Sequence, residues 1–241
     1  MEELAHRAMN LAEAKGATYA DIRLRETETQ TIILKNGVIE AIATTSSHGF
    51  GVRVIADGAW GFAASASVSR AKIDEVTTQA LEIARASALA GGQPVNLGPP
   101  EVHRGQYRTP VEVDPFRVPL EDKIDLLMRC DEAMRRAKGV AIAEANMVFI
   151  RKKQLFASTE GSLIEQEIVE TGAGLEATAV GEDEVQKRSH PNSFGRHQGT
   201  AGYEFVDKYD LLGHAERLGE EAVALLSARQ CPTGKTTLIL G

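Results

Sequence analysis

Two dipeptides, Asn36-Gly37 and Asp57-Gly58, constrain this chain more than any other feature of its sequence. A two-residue hairpin loop of type I′ needs positive φ at both central positions, and Asn-Gly and Asp-Gly adopt that geometry with the least strain. The first pair sits inside "ADIRLRETETQTIILKNGVIEAIATT", a run rich in β-branched residues. A two-residue loop there sets Lys35 opposite Val38 and Leu34 opposite Ile39. Ile32, Leu34, Ile39 and Ala41 then share one face, which is expected to be core. In "GVRVIADGAWGFAAS" the second pair sets Ile55 opposite Trp60. Four or five antiparallel strands are expected between residues 20 and 66.

Helices bracket these strands. Residues 2–15 place Leu4, Ala8, Leu11 and Ala12 on one helical face, and Gly16 supplies a left-handed exit. Ser69 can cap a helix whose apolar stripe runs through Ile73, Val76, Ala80, Ile83 and Ala84. Residues 91–119 change character, with Gly91, Gly92 and prolines at 94, 99, 100, 110, 115 and 119. They read as an extended connector crossing the surface. The pattern then begins again. A helix is expected over 120–138, with Leu120, Ile124, Leu127 and Met134 inward and Gly139 at its end. Strands fill 140–180 and turn near Thr159-Glu160-Gly161, and a last helix over 207–228 carries Leu211, Ala215, Leu218, Ala222 and Leu225. The fold class is α+β, antiparallel sheets flanked by helices, in two similar helix-hairpin-helix halves. The domain reading is an N-terminal α+β subdomain at 1–90, the connector at 91–119 and a second α+β subdomain at 120–241.

Composition bears mainly on what the chain does not do. Its 27 Lys and Arg against 34 Asp and Glu give a net charge of -7, so it lacks the clustered positive excess of a phosphate-tracking protein. Direct nucleic-acid binding is not expected. The start "MEELAHRAMNLAEAKG" is not that of a signal peptide, and no apolar run is long enough to span a bilayer. Two cysteines, Cys130 and Cys231, are too few for a disulfide framework. A cytoplasmic protein is the expectation.

Familiar catalytic motifs fail on context. Gly234-Lys235-Thr236-Thr237 resembles the end of a phosphate-binding P-loop, but Arg229 stands where the leading glycine belongs. The order is also reversed, with a helix before the loop and the apolar, strand-like "TTLILG" after it; Pro232 and Gly234 make a helix-to-strand turn. Gly49-Phe50-Gly51 and Gly172-Ala173-Gly174 are followed by strand sequence rather than by the helix a dinucleotide fingerprint requires. They read as close-packing positions in a sheet. Arg151-Lys152-Lys153 is expected to decorate a hairpin, and Glu182-Asp183-Glu184 a solvated turn. The six histidines offer no helical i, i+4 zinc pair, and no G-x-S-x-G exists.

The stretch "KRSHPNSFGRHQGTAGYEF", residues 187–205, is the one that neither helix nor strand period explains. It gathers Arg188, His190, Asn192, Arg196 and His197 in an expected loop. His190, Asn192 and His197 are the candidates for lining a substrate cleft. The alternative is a polar hairpin tip.

Three stretches resemble a known family: "HGFGVRVIADGAWGFAAS" at 48–65, "GYEF" at 202–205 and "LLGHAERLGEEAVALLSARQCPTGKTTLILG" at 211–241. They are similar to the N-terminal half of the TldD/PmbA family, also called modulators of DNA gyrase, in its TldD-like branch. The resemblance implies that the strand matching Thr236 to Leu240 leads into a helix bearing H-E-x-x-x-H, which holds a catalytic metal. That motif would lie beyond Gly241, so no catalytic, metal-binding or cofactor-binding residue is carried over to residues 1–241. On this resemblance the complete protein is a zinc-dependent peptidase acting on peptides or unfolded protein. The chain itself would hold no zinc and perform no cleavage. It would pack against the catalytic C-terminal domain, join a homo- or hetero-oligomer and wall a substrate chamber. The alternative is a stand-alone interaction module without enzymatic activity.

Overall fold

The computed structural model describes residues 1–229 and 233–239. Its first half runs α1 (Glu2–Ala14), β1 (Tyr19–Lys35), β2 (Val38–Ala56), β3 (Ala59–Ser65) and α2 (Arg70–Leu89). β4 (Arg104–Arg108) follows. The second half runs α3 (Leu120–Arg135), β5 (Val140–Ser158), β6 (Leu163–Val180), β7 (Val185–His190), β8 (His197–Gly199), α4 (Glu204–Lys208) and α5 (Leu211–Leu225). Each half thus opens with a helix and a long hairpin; the first closes with one short strand and one helix, the second with two short strands and two helices. β1 pairs with β5, so the two hairpins join into one sheet in the order β3-β2-β1-β5-β6-β4, with β7 and β8 also on β6. All pairings are antiparallel except that of β4 with β6.

Both expected turns form, with φ of 49° at Asn36, 76° at Gly37, 51° at Asp57 and 79° at Gly58. Lys35 faces Val38 and Ile55 faces Trp60, as the loop length requires. The expected count of four or five strands is wrong. Only three strands occupy residues 19–65, because "ETETQT" and "TTSSH" contain no Gly, Pro, Asn or Asp and the strands run straight through them.

The expected core face of the first hairpin is half right. Ile32 and Leu34 are fully buried, whereas Ile39 is 42% exposed. A bulge between Ile33 and Leu34 takes the pairing from Leu34 opposite Ile39 to Ile33 opposite Ala41, so Ile32 meets Ile42. β3 covers only Phe50 to Ala56, and the first part of β2 is left as a sheet edge.

Other corrections follow from packing. Ala5 and Met9 replace Leu4 and Leu11 as buried residues of α1, and Leu81 replaces Ile83 in α2. Ser69 does cap α2, accepting from Lys72 N at 3.2 Å. The connector contains β4, an exposed strand held by the outer edge of β6. The last helix is broken at Asp210, whose left-handed backbone (φ 41°) makes it the N-cap of α5. Residues 233–239 form neither strand nor helix. A strand needs a neighbour, and none of the described strands lies beside them; Leu240 of the expected strand, Pro232 of the expected turn and Cys231 lie outside the described residues.

Two separate cores sit at the two ends of the long strands. α1 and α2 bury Ala20, Ile22 and Leu24 of β1 together with Phe50, Val52, Val54, Leu155 and Ala157. α3 and α5 bury Ile32 and Leu34 of the same strand together with Met147, Phe149, Ala173 and Leu175. Every one of these β1 residues is even-numbered, so both helix pairs cover the same face.

Candidate functional site

Between the two cores the same face of the sheet is polar. On β1 the even positions between Leu24 and Ile32 are Glu26, Glu28 and Gln30. β5 runs opposite without a register shift, and its matching positions between Leu155 and Phe149 are Lys153 and Arg151. No side chain here can join either apolar cluster, so the helix pairs stand apart and leave a trough across the strands. One cavity of about 310 Å³ is lined by Glu26, Glu28, Ser46, His48, Arg151 and Lys153. A second, about 780 Å³, lies under the connector beside Arg108, Asp114, Arg151 and Glu167. A third, about 260 Å³, is bordered by Met1, Lys153 and Glu165. Arg151 borders the first and second of these cavities, and Lys153 the first and third.

Arg151 is the hub of the trough. Its guanidinium lies 2.6 Å from Asp114, 3.3 Å from Glu28 and 3.7 Å from Glu167, and stacks 4.5 Å from the Phe116 ring. Its Nε makes no hydrogen bond to any described residue. Beside it Lys123, 1% exposed, donates from Nζ to Gln30 Oε1 at 2.6 Å and to Pro115 O at 2.6 Å. Burial pushes the Lys123 pKa down, while Asp114 opposes this. Together the two cations pin the connector to the sheet. The chemistry the trough offers is recognition: fixed donors and acceptors of both signs in a partly desolvated channel.

Arg151 does lie in a hairpin, that of β5 and β6, but its side chain is only 20% exposed, so it does not merely decorate the surface. The run Arg151-Lys152-Lys153 lies mid-strand, and Lys152 turns to the opposite face, where it pairs with Glu170. The sequence showed only a charged run between two apolar stretches; that it lies opposite Glu26–Glu28 of β1 is visible only in the register of the folded sheet.

The sequence candidates lie elsewhere, and they lie in strands at both ends rather than in one loop. His190 ends β7 and His197 opens β8. His190 Nε2 meets Tyr209 O at 2.8 Å, and its ring stacks 4.2 Å from that of His214. Burial lowers the pKa of His190, with the carbonyl of Tyr209 opposing. Asn192 Nδ2 lies 3.3 Å from His197 Nδ1, and the His197 ring rests against Phe205 and Tyr209 at 5.7 and 5.5 Å. The structure therefore joins Asn192 to His197 and turns His190 toward α5. The trough cavities are lined by other residues.

The segment crosses the sheet at Gly174, where a Cβ would overlap the carbonyl of Gly195. This is the close packing read for Gly172-Ala173-Gly174. Among the described residues no three His, Cys, Asp or Glu side chains converge as metal ligands. No helix among them is long and apolar enough to cross a membrane.

With this geometry in hand, comparisons with known proteins are specific. Residues 20–84 match "PmbA/TldA metallopeptidase domain 1" and residues 113–229 match "PmbA/TldA metallopeptidase central domain". A metalloprotease of Methanothermobacter thermautotrophicus is 31% identical over 221 residues, covering 92% of this chain and 46% of that protein. A metalloprotease of Methanocaldococcus jannaschii is 28% identical, covering 92% and 48%. The chain thus spans about half the length of the curated relatives it matches. Among solved structures, a protein described as a modulator of a DNA gyrase from Thermotoga maritima aligns with a TM-score of 0.73 at 17% identity, covering 97% of this chain and 50% of that one. TldE from Thermococcus kodakarensis aligns at 0.67 and 16%, covering 91% and 47%. At such identities the likeness is one of fold.

Proposed function

Because the chain belongs to the PmbA/TldD metallopeptidase family, we propose that it is the non-catalytic N-terminal portion of a cytoplasmic zinc-dependent peptidase. In this reading it packs against a catalytic C-terminal domain of the same protein, contributes to a homo- or hetero-oligomeric interface and walls one side of a chamber for peptide or unfolded-protein substrates. The observation that carries the reading is the pair of family matches, to a first and a central domain, in a chain that covers about half of two metalloproteases. The trough supports it physically, since a chamber wall needs polar groups held by rigid elements. His190, Asn192 and His197 are retained in the proposal as residues that face the substrate in the complete enzyme.

The test is to compare this chain with its complete parent protein. Zinc by elemental analysis and cleavage of an unstructured peptide are expected for the parent and absent for residues 1–241. Stoichiometric zinc or cleavage by the chain alone would overturn the assignment, and a parent lacking H-E-x-x-x-H would favour an interaction module instead.

A further inference from the structure

Arg23, Arg25 and Arg53 line one groove on the sheet face opposite the helices, in a chain whose net charge is -7. Pleating sends the odd residues of β1 to this face, and the register sets Arg23 beside Gly51 and Arg25 beside Gly49. Neither glycine has a side chain to fill the space above β2, and a groove of about 640 Å³ opens there. Arg23 and Arg25 form one wall, Phe62 and Ala64 the other, and the floor follows β2 from Ser47 to Gly51. A Cβ at Gly51 would stand 2.9 Å from the Phe62 ring, so the glycine is what lets that wall close in.

Three guanidinium groups here face one carboxylate. Asp21, 1% exposed, accepts from Arg53 Nε at 2.8 Å and from the Tyr19 hydroxyl at 2.9 Å. Arg23 comes no nearer to it than 4.0 Å. Arg25 donates to Thr27 Oγ1 at 3.2 Å and forms no ion pair among the described residues. Rings hold two of the three cations in place, Phe156 under Arg23 at 5.1 Å and Trp60 under Arg53 at 4.8 Å. Alternate residues of a strand repeat every 6.6 Å or so, the spacing at which an extended peptide presents side chains to one side.

We propose that this groove binds an extended acidic peptide, its alternate carboxylates on Arg23 and Arg25 and an intervening apolar side chain against Phe62. The assignment goes beyond the peptidase reading and does not depend on it, because its readout is binding and not cleavage. Arginines beside an exposed ring also suit single-stranded nucleic acid, but Arg23 and Arg25 stand on alternate residues of one strand, the spacing of side chains along an extended peptide.

Fluorescence anisotropy tests the groove with a labelled short peptide alternating Glu with Ala around one Phe, a Lys-for-Glu counterpart and an oligothymidine. The acidic peptide is expected to bind saturably, more weakly at higher salt, and R23E and R25E to lose about tenfold or more. Both side chains project from the surface, so the thermal midpoint is expected to hold; should a reversal fail to fold, Arg25→Gln is expected to weaken binding in the same direction. Absent binding, affinity unchanged in the Arg23 and Arg25 variants, or competition by oligothymidine or inorganic phosphate equal to that of the peptide would overturn the proposal.

Discussion

The Nη2 of Arg151 lies 2.6 Å from Oδ1 of Asp114, and this ion pair ties the middle of a central strand to a connector 37 residues earlier in the chain. Both partners are largely shielded, with side chains 20% and 29% exposed. Removing the cation leaves Asp114, Glu28 and Glu167 facing one another. Arg151→Met is expected to cost about 1.5–3 kcal/mol in urea denaturation. Asp114→Asn is expected to cost less, since Arg151 keeps its other two acids. Both variants are expected to speed amide exchange over residues 109–119, and a connector equally protected in both would show that the pair does not hold it.

Gly61 lies where α2 crosses β3, and a Cβ there would overlap the carbonyl of Ala80. Gly61→Ala is expected to push the helix off the sheet and destabilise by about 1–3 kcal/mol. Gly105, in β4, has nothing within 4 Å of such a Cβ. Gly105→Ala is expected to stay within about 0.5 kcal/mol of the parent chain. Equal thermal shifts for the two would refute the close approach at Gly61.

Asn36 does more than turn the first hairpin. Its Oδ1 accepts from Ala143 N at 2.8 Å and its Nδ2 donates to Ala141 O at 3.2 Å, docking the hairpin tip on the start of β5. Asn36→Ala loses both bonds and puts a Cβ-bearing residue with no local hydrogen bond at φ 49°. A loss of about 2–4 kcal/mol is expected. Asn36→Gly relieves the backbone but not the docking, and is expected to recover only part of the loss.

His190 predicts a pH dependence. Burial lowers its folded pKa, with Tyr209 O and Asp210 opposing and His214 and Arg217 reinforcing. The unfolded chain therefore takes up a proton first as pH falls. The stability linked to His190 is present above the unfolded pKa of about 6.5 and is lost as pH drops through the lower folded value. His190→Gln, which can still donate to Tyr209 O, is expected to shrink the difference in thermal midpoint between about pH 7.5 and about pH 5. An unchanged difference would assign the pH dependence to other groups.

What could be read from the residues alone was whatever a few neighbours decide. Asn36-Gly37 and Asp57-Gly58 set their turns because positive φ is a property of the dipeptide. Ser69 capped its helix because a hydroxyl and an amide three residues on need nothing else. The α+β class and the duplicated order followed from such signals. The length of β1 and β2 did not, because polar strand residues such as Glu26–Thr31 are stable as strand only when another strand lies alongside.

The placement of His190, Asn192 and His197 against α4 and α5 likewise depends on Gly174 letting the chain cross the sheet. Arg151 and Lys123 were illegible as a site for the same reason. Their partners Glu28, Gln30, Asp114, Pro115 and Glu167 are scattered along the chain, and only the tertiary structure brings them together. The sequence by itself determined the turns, the caps and the periodicities. The pairing of β1 with β5, which set two cores on one face and left a charged trough between them, was decided in three dimensions, because hydrogen bonding between distant strands has no local signature.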